Sequence, residues 1–142
     1  MKFFLLLSKR NLIIITSLAV IILLIWGGVC SVSATRVDGS TNAQRMAYIK
    51  RLGYSVDDSA ASCKNITVPG EFSDVYSQYN KLQKEAGFDL SRYKGRKAQV
   101  FTYPFSYNSD MELHLIVCDG VIIGGDTASV KLGGEMKPLV SN

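Results

Sequence analysis

An uncharged, strongly apolar block begins directly after Lys9 and Arg10 and constrains this chain more than any other feature. No charged residue occurs in residues 11–35, and residues 12–26 are mostly Leu, Ile and Val. A helix rises 1.5 Å per residue, so about 20 residues span the roughly 30 Å hydrocarbon core of a bilayer. A transmembrane helix at residues 11–30 is therefore predicted, with the membrane as its partner.

Positive charges on the two sides of this block predict its orientation. Lys2, Lys9 and Arg10 precede it, whereas only Arg36 follows closely. Cytoplasmic flanks of membrane helices carry the excess of Lys and Arg. The chain is thus predicted to be a single-pass cell-membrane protein with a cytoplasmic N-terminus and an extracytoplasmic C-terminal domain. Its predicted parts are a basic N-terminus (1–10), a transmembrane helix or uncleaved signal anchor (11–30), a linker (31–40) and an extracytoplasmic domain (41–142).

The same block also fits a secretory signal peptide. Val32, Ser33 and Ala34 match the small-residue pattern that precedes a cleavage point. Both interpretations export the domain. They differ in whether the domain stays tethered or is released after Ala34.

The charge of the exported part argues against a nucleic-acid partner. From residue 31 onward the chain has 13 basic and 12 acidic residues. A nucleic-acid binder needs a concentrated basic field to displace counterions from phosphates. The roughly 110 residues of this part are enough for one hydrophobic core, so a single domain is expected.

Two helices are predicted from capping residues and apolar spacing. Thr41 and Gln44 match a capping box at the start of a helix over residues 42–52, and Gly53 follows its end. The second helix has a continuous apolar stripe and is followed by Gly87. This stripe consists of Phe72, Val75, Tyr76, Tyr79, Leu82 and Ala86.

The rest of the domain is predicted to be β structure. Strands are expected at residues 63–68, 97–107, 112–118 and 121–127, with a further short one at 128–132. Asp119 and Gly120 are typical of a tight two-residue hairpin turn. The predicted fold is α+β, with two helices packed on one face of an antiparallel sheet of about four or five strands, preceded by the transmembrane helix.

Three groups of residues are candidates for binding. Four aromatic residues alternate along one face of the strand at 97–107, where a partner could reach them: Phe101, Tyr103, Phe105 and Tyr107. Gly124, Gly125 and Asp126 lie toward the end of the predicted hairpin, although the glycines also fit a bulge or a close backbone approach. The one basic cluster fits either a solvated loop or contact with anionic lipid headgroups or a cell-wall polymer. It contains Arg92, Lys94, Arg96 and Lys97.

No set of residues predicts catalysis. His114, the only histidine, shares a strand face with Glu112 and fits a half-exposed strand residue. Cys118 is about 13 Å from it along the strand, beyond hydrogen-bond reach. A metal site would need His114 together with Cys63, Cys118 or Asp126, and no two of these have the short ligand spacing of zinc sites, so no catalytic residue, metal or cofactor is predicted. Outside the cytoplasm, Cys63 and Cys118 fit either a disulfide or two free thiols.

The exported part resembles an uncharacterised family of bacterial, mainly Gram-positive, membrane-anchored proteins, the domain of unknown function numbered 4830. The resemblance rests on Arg51, Leu52, Gly53, Tyr54, Val68, Pro69, Glu71, Phe72, Val75, Tyr76, Tyr79, Asn80, Leu82, Gln83, Gly87, Phe88, Asp89, Leu90, Tyr93, Gly95, Gly120, Val121, Ile123, Gly124, Gly125, Asp126 and Ser129. Tyr54 stands where the family is expected to have Trp. The resemblance implies a membrane helix and an extracytoplasmic domain, and it supplies no activity and no catalytic residue.

The function predicted from these features is non-enzymatic. We expect a binding or regulatory module of the bacterial cell envelope, with an envelope protein or an anionic polymer as its partner. The alternatives are a secreted domain released after Ala34, a small envelope enzyme that uses Asp126 and His114, and a spacer or dimerisation unit.

Overall fold

The computed structural model describes residues 36–139. The predicted membrane helix at residues 11–30 and the predicted cleavage point after Ala34 lie outside these residues. Within them, no helix has both the length and the hydropathy needed to cross a bilayer.

Both α-helices end before their predicted glycines, and the first begins at its predicted capping box, whereas the second begins two residues after Phe72, the first residue of its predicted apolar stripe. Helix α1 is Asn42–Arg51 and helix α2 is Asp74–Glu85. Thr41 Oγ1 accepts a hydrogen bond from the Gln44 N–H, and Gln44 Oε1 accepts one from the Thr41 N–H, which completes the capping box. Gly53 and Gly87 follow the two helices with φ of 87° and 83°, a conformation that glycine adopts without strain.

Six strands form one antiparallel sheet. They are β1 Val37–Asp38, β2 Ser62–Thr67, β3 Lys97–Phe105, β4 Asn108–Cys118, β5 Val121–Ser129 and β6 Met136–Pro138. The order is β1-β5-β4-β3-β2, and β6 pairs with β5 beside β1. Asp119 and Gly120 have φ of 47° and 76°, so they form the predicted tight turn between β4 and β5. The two-residue strand β1 was not predicted, and residues 130–134 form a turn rather than a strand.

The α+β class is confirmed, but the packing of both helices on one face is wrong. The apolar side chains of α1 pack with Leu113, Leu115 and Val117 of β4. Those of α2 pack around Ile116 and Cys118, which point to the other face of the same strand. Because both faces of the central strands are apolar, each face needs its own cover, and the sheet lies between the two helices.

A β-bulge interrupts the pairing of β4 with β5. Val117 pairs with Ile122, whereas Ile116 pairs with Gly124, which leaves Ile123 as the extra residue. The next two residues of β5 are glycines in tight contact with their surroundings. A Cβ atom on Gly124 would lie 2.8 Å from Gln83 Oε1, and one on Gly125 would lie 2.5 Å from the backbone oxygen of His114. Both structural interpretations of the glycine pair, bulge and close approach, therefore apply.

We expect Gly125→Ala to destabilise the fold by about 1–3 kcal/mol, because the new methyl group would overlap both Leu139 and the β4 backbone. Gly70→Ala is the matched control, since an added Cβ there meets nothing within 4 Å. We expect the control to change stability by less than about 0.5 kcal/mol. Equilibrium urea denaturation measures both. Equal stability of the two variants would show that β5 shifts freely at this point.

Candidate functional site

A buried carboxylate joins three elements on the α2 face of the sheet. Asp126 of β5 is 2% exposed and pairs across the strands with His114 of β4. His114 Nδ1 lies 2.8 Å from Asp126 Oδ1, and the Tyr79 hydroxyl of α2 donates to Asp126 Oδ2 at 2.7 Å. We call Tyr79, Glu112, His114 and Asp126 the buried polar network.

The charges around His114 favour its protonated form. Glu112 Oε2 lies 3.4 Å from Nε2, on the side of the ring away from Asp126. The hydrogen bond to Asp126 raises the pKa of His114 although burial opposes the shift, and the charges of Asp126 and Glu112 raise it further. An imidazolium between two carboxylates has no lone pair with which to accept a proton. The arrangement therefore suits an internal ion cluster better than a general base.

Tyr79 completes the network as a permanent donor. Burial raises the pKa of its hydroxyl far above the ordinary value, and the Asp126 carboxylate adds to the shift. The hydroxyl thus stays protonated and donates to Asp126 Oδ2. Within residues 36–139, no three His, Cys, Asp or Glu side chains form a group that could hold a metal ion.

Two amide side chains continue this polar contact along α2. Gln83 Oε1 accepts from the Gly125 N–H at 2.8 Å, and Asn80 Oδ1 accepts from the Leu90 N–H at 2.8 Å. Both amide side chains are buried.

The apolar stripe of α2 does not match its buried face at every position. Val75 is exposed, although the stripe predicted it to be inside. The apolar pattern missed Asn80 and Gln83, whereas both were among the residues that carry the family resemblance.

A second candidate site lies on the other face, beside the N-terminal end of α1. Two adjoining open cavities of about 660 and 320 Å³ share Gln99, Val117, Asp119 and Gly120. The larger also contacts Asn65, Thr67 and Lys97, and the smaller contacts Ser40, Arg45 and Phe101. We call this surface the sheet groove.

Cations outnumber carboxylates around the sheet groove. Arg45 stacks on Phe101, with the guanidinium carbon 3.6 Å from the ring centroid, and its Nη1 donates to the Gly39 carbonyl. Arg96 forms an ion pair with Asp119. Lys97 is exposed at the edge of the larger cavity. Three cations thus stand near two carboxylates, and both carboxylates already have partners: Arg96 pairs with Asp119, and Ser40 and Gln44 donate to Asp38.

The structure does not present the four aromatic residues as one accessible face. Tyr103 and Phe105 are buried in the core beneath α1, and Phe101 lies under Arg45. Tyr107 follows the end of β3 and is exposed. This placement corrects the expectation of an aromatic binding strand, because the face that carries the rings is the face that α1 covers.

Gly124, Gly125 and Asp126 are not an accessible hairpin end either. They lie in the middle of β5, which continues to Ser129, and all three are buried. Their neighbours from α2 cover one side, and Leu139 covers Gly125 on the other. They therefore belong to the interior, apart from the aromatic strand and from the sheet groove.

The basic cluster divides between internal contacts and the groove. Arg92 Nε lies 3.9 Å from Asp89 Oδ2, and Lys94 Nζ lies 4.7 Å from the centroid of the Phe72 ring. Hydrogen bonds from Ser91 and Asn80 hold the pKa of Asp89 at about 2, so it is ionised under ordinary conditions. Arg96 and Lys97 are the two members that reach the sheet groove.

Cys63 and Cys118 are free thiols. Cys63 lies on β2 opposite Phe101, which packs on the α1 face, whereas Cys118 lies on β4 and packs on the α2 face. Two strand spacings, about 9.6 Å, separate β2 from β4. Of the two alternatives, the structure therefore has the free thiols, because the side chains point to opposite faces of the sheet.

Residues 48–126 match the family model described as Domain of unknown function (DUF4830). The match covers more than half of the chain, so the chain belongs to this family, as its residues indicated. The matched region contains the whole buried polar network and most of the sheet groove. No curated protein and no solved structure shows significant similarity to the chain.

His114 gives stability a defined dependence on pH. Its pKa is raised on folding, so its contribution to the free energy of unfolding is complete below the ordinary value of 6.5 and is lost as pH rises through the raised value. We expect urea denaturation at a series of pH values to show this fall in the original chain and not in His114→Gln. The same fall in both proteins would assign it to another group.

Tyr79→Phe removes one of the two partners of the buried Asp126 carboxylate. We expect a loss of about 1–3 kcal/mol of stability, the typical effect of taking a hydrogen bond from a buried charged group. Tyr76→Phe is the matched control, because Tyr76 lies on the same helix and its hydroxyl is only partly buried. Thermal and urea denaturation compare the two. A loss of the same size in the control would attribute the effect to the helix in general.

Proposed function

We propose that this chain is a membrane-anchored, extracytoplasmic binding module of the bacterial cell envelope, and that the sheet groove binds an anionic envelope polymer. The observation that carries the proposal is the open groove with three cations beside two carboxylates that already have partners. The uncharged block at residues 11–30 supports the anchor and the export.

The groove offers the contacts that a charged, hydroxyl-rich polymer needs. Lys97 is exposed, so its positive charge is accessible to a ligand. Gln99 Nε2 donates to Asn65 Oδ1 at 3.2 Å. The other N–H groups of these two amides can donate to hydroxyl and phosphate oxygens of a ligand. The cavities adjoin each other along the sheet, which favours an extended ligand over a compact one.

The alternative of an enzyme that uses Asp126 and His114 has weaker support. The two residues do come together, but both oxygens of Asp126 already have partners and the imidazole lies between two carboxylates. They also face α2, whereas the open cavities lie on the α1 side of the sheet. We therefore propose that the network holds the fold together and that the chain is not an enzyme.

Binding of the full-length chain in detergent to poly(glycerol phosphate) tests the groove. We expect Lys97→Gln to weaken binding by about two- to fivefold, the range for one exposed ion pair, and added salt to weaken it further. Gln99→Ala should weaken binding without a change of charge. Isothermal titration calorimetry measures each affinity.

Lys64→Gln is the matched control. Lys64 is an exposed lysine on neighbouring β2, opposite Val100, so it lies on the other face of the sheet from the groove. We expect it to bind as tightly as the original chain. An equal loss in both lysine variants, or no binding by the original chain, would contradict the proposal.

A further inference from the structure

Exposed apolar side chains gather at one end of the sheet. Among residues 36–139, five large apolar side chains are exposed, and four of them share this end. They are Tyr107 (74% exposed), Val130 (53%), Leu132 (107%) and Met136 (44%), which we call the apolar end. Single exposed apolar residues are ordinary, whereas a group at one place marks a contact surface.

Strand pairing brings these residues together. Tyr107 lies in the turn between β3 and β4, and the other three lie in or beside the connection from β5 to β6. Met111, near the start of β4, pairs with Ser129 at the end of β5. The Val130 N–H also donates to the Asp110 carbonyl at 2.9 Å. Both turns therefore project from the same end of the sheet.

The connection between β5 and β6 is a structured hairpin. The Ser129 N–H donates to the Glu135 carbonyl at 3.1 Å, and the Gly134 N–H donates to the Lys131 carbonyl at 2.8 Å. Gly133 has φ of 76°, which suits the reversal of the chain. The backbone thus holds Leu132 outward at the tip, where it finds no cover within the domain.

The charges at this end are paired with each other. Lys131 Nζ lies 2.6 Å from Asp110 Oδ2, and Lys137 Nζ lies 3.2 Å from Glu135 Oε2. The two ion pairs cancel, so this surface has little net charge with which to attract an oppositely charged partner. Its contact chemistry is apolar, with an aromatic and two lysine stems at the margin, the composition found at membrane interfaces.

The chain that precedes the domain indicates what covers the apolar end. Val37 pairs with Ile122 and Asp38 with Val121. Because β1 and β5 are antiparallel, the chain that precedes Val37 leads toward the end of β5 at Ser129. Only residues 31–35 separate the described domain from the predicted membrane span at 11–30. The six Cα–Cα steps from residue 30 to Arg36 reach at most about 21 Å. Arg36 stands near Ile123, from which β5 runs about 20 Å to Ser129, so an extended linker brings the end of the span level with the apolar end. An anchored domain therefore stays close to the bilayer.

We propose that the apolar end rests in the interface of the lipid bilayer, with Leu132 at its deepest point. This inference rests on the membrane anchor of the proposed function. It also orients the domain, because the turn at Asp119 and Gly120 lies at the other end of β5, about 27 Å away at 3.4 Å per residue. The sheet groove adjoins that turn and would face away from the membrane.

Tryptophan fluorescence of the full-length chain in phosphatidylcholine vesicles tests this contact. Trp26 is the only tryptophan, so Trp26→Phe gives a silent background. Leu132→Trp is added to one protein. Thr67→Trp, an exposed position at the groove end, is added to the matched control. Vesicles with acyl-brominated lipid then report contact with the hydrocarbon, and alkaline extraction reports whether the chain is integrated.

We expect blue-shifted emission and strong quenching by brominated lipid for Leu132→Trp, and neither for Thr67→Trp. Met136→Trp repeats the measurement and should give a smaller effect of the same sign. Integration of the chain with solvent-like, unquenched emission at position 132 would overturn this contact and leave the anchor intact. Equal quenching at positions 67 and 132 would also overturn it.

Two further outcomes have a defined meaning. Blue-shifted but unquenched emission at position 132, together with a cross-linked dimer, would show that a second copy covers the apolar end and would overturn the lipid contact. A chain that alkaline extraction removes from the vesicles would overturn the anchor and the contact together. Polymer binding by the groove is measured in detergent and stays independent of both.

Discussion

The position of helix α2 on the sheet depends on one buried carboxylate. An ionised group inside a protein is costly unless each of its oxygens has a partner. Asp126 meets this condition with a hydroxyl from α2 and an imidazole from β4, both within 2.8 Å. Because Asp126 itself is almost fully buried, these two bonds favour one position of α2 over β4 and β5. Gln83, one turn after Tyr79, then reaches the β5 backbone at Gly125.

The other face of the sheet has an open surface because its helix is short. Helix α1 has 10 residues, about 15 Å of helix, whereas β4 has 11 residues, about 37 Å of strand. The helix covers the region around Leu113 and Leu115, and the Arg45 guanidinium closes the space between its first turn and Phe101. What remains beyond Arg45 is the sheet groove. A binding surface therefore arises without any distortion of the sheet.

Local features of this fold could be predicted from the sequence because they depend on neighbouring residues. The capping box at Thr41 and Gln44, the glycine ends of both helices and the turn at Asp119 and Gly120 each involve fewer than six consecutive residues. The side of the sheet on which each helix packs depends on contacts between distant residues, and both faces of β4 are apolar. No pattern within one helix chooses between them. The short edge strands β1 and β6 likewise exist only because β5 offers an unpaired edge.

The buried polar network could not be predicted because it depends on one extra residue in β5. After a two-residue turn at Asp119 and Gly120, regular pairing would place His114 opposite Gly125. The bulge at Ile123 moves the register by one, so that His114 faces Asp126 instead. A shift of one residue also exchanges the faces of a strand, and it turns Asp126 toward Tyr79 and α2. The two glycines before Asp126 leave the space that this arrangement needs. The bulge therefore brings the residues of the network together, and the glycine pair is the feature of the sequence that indicates the bulge.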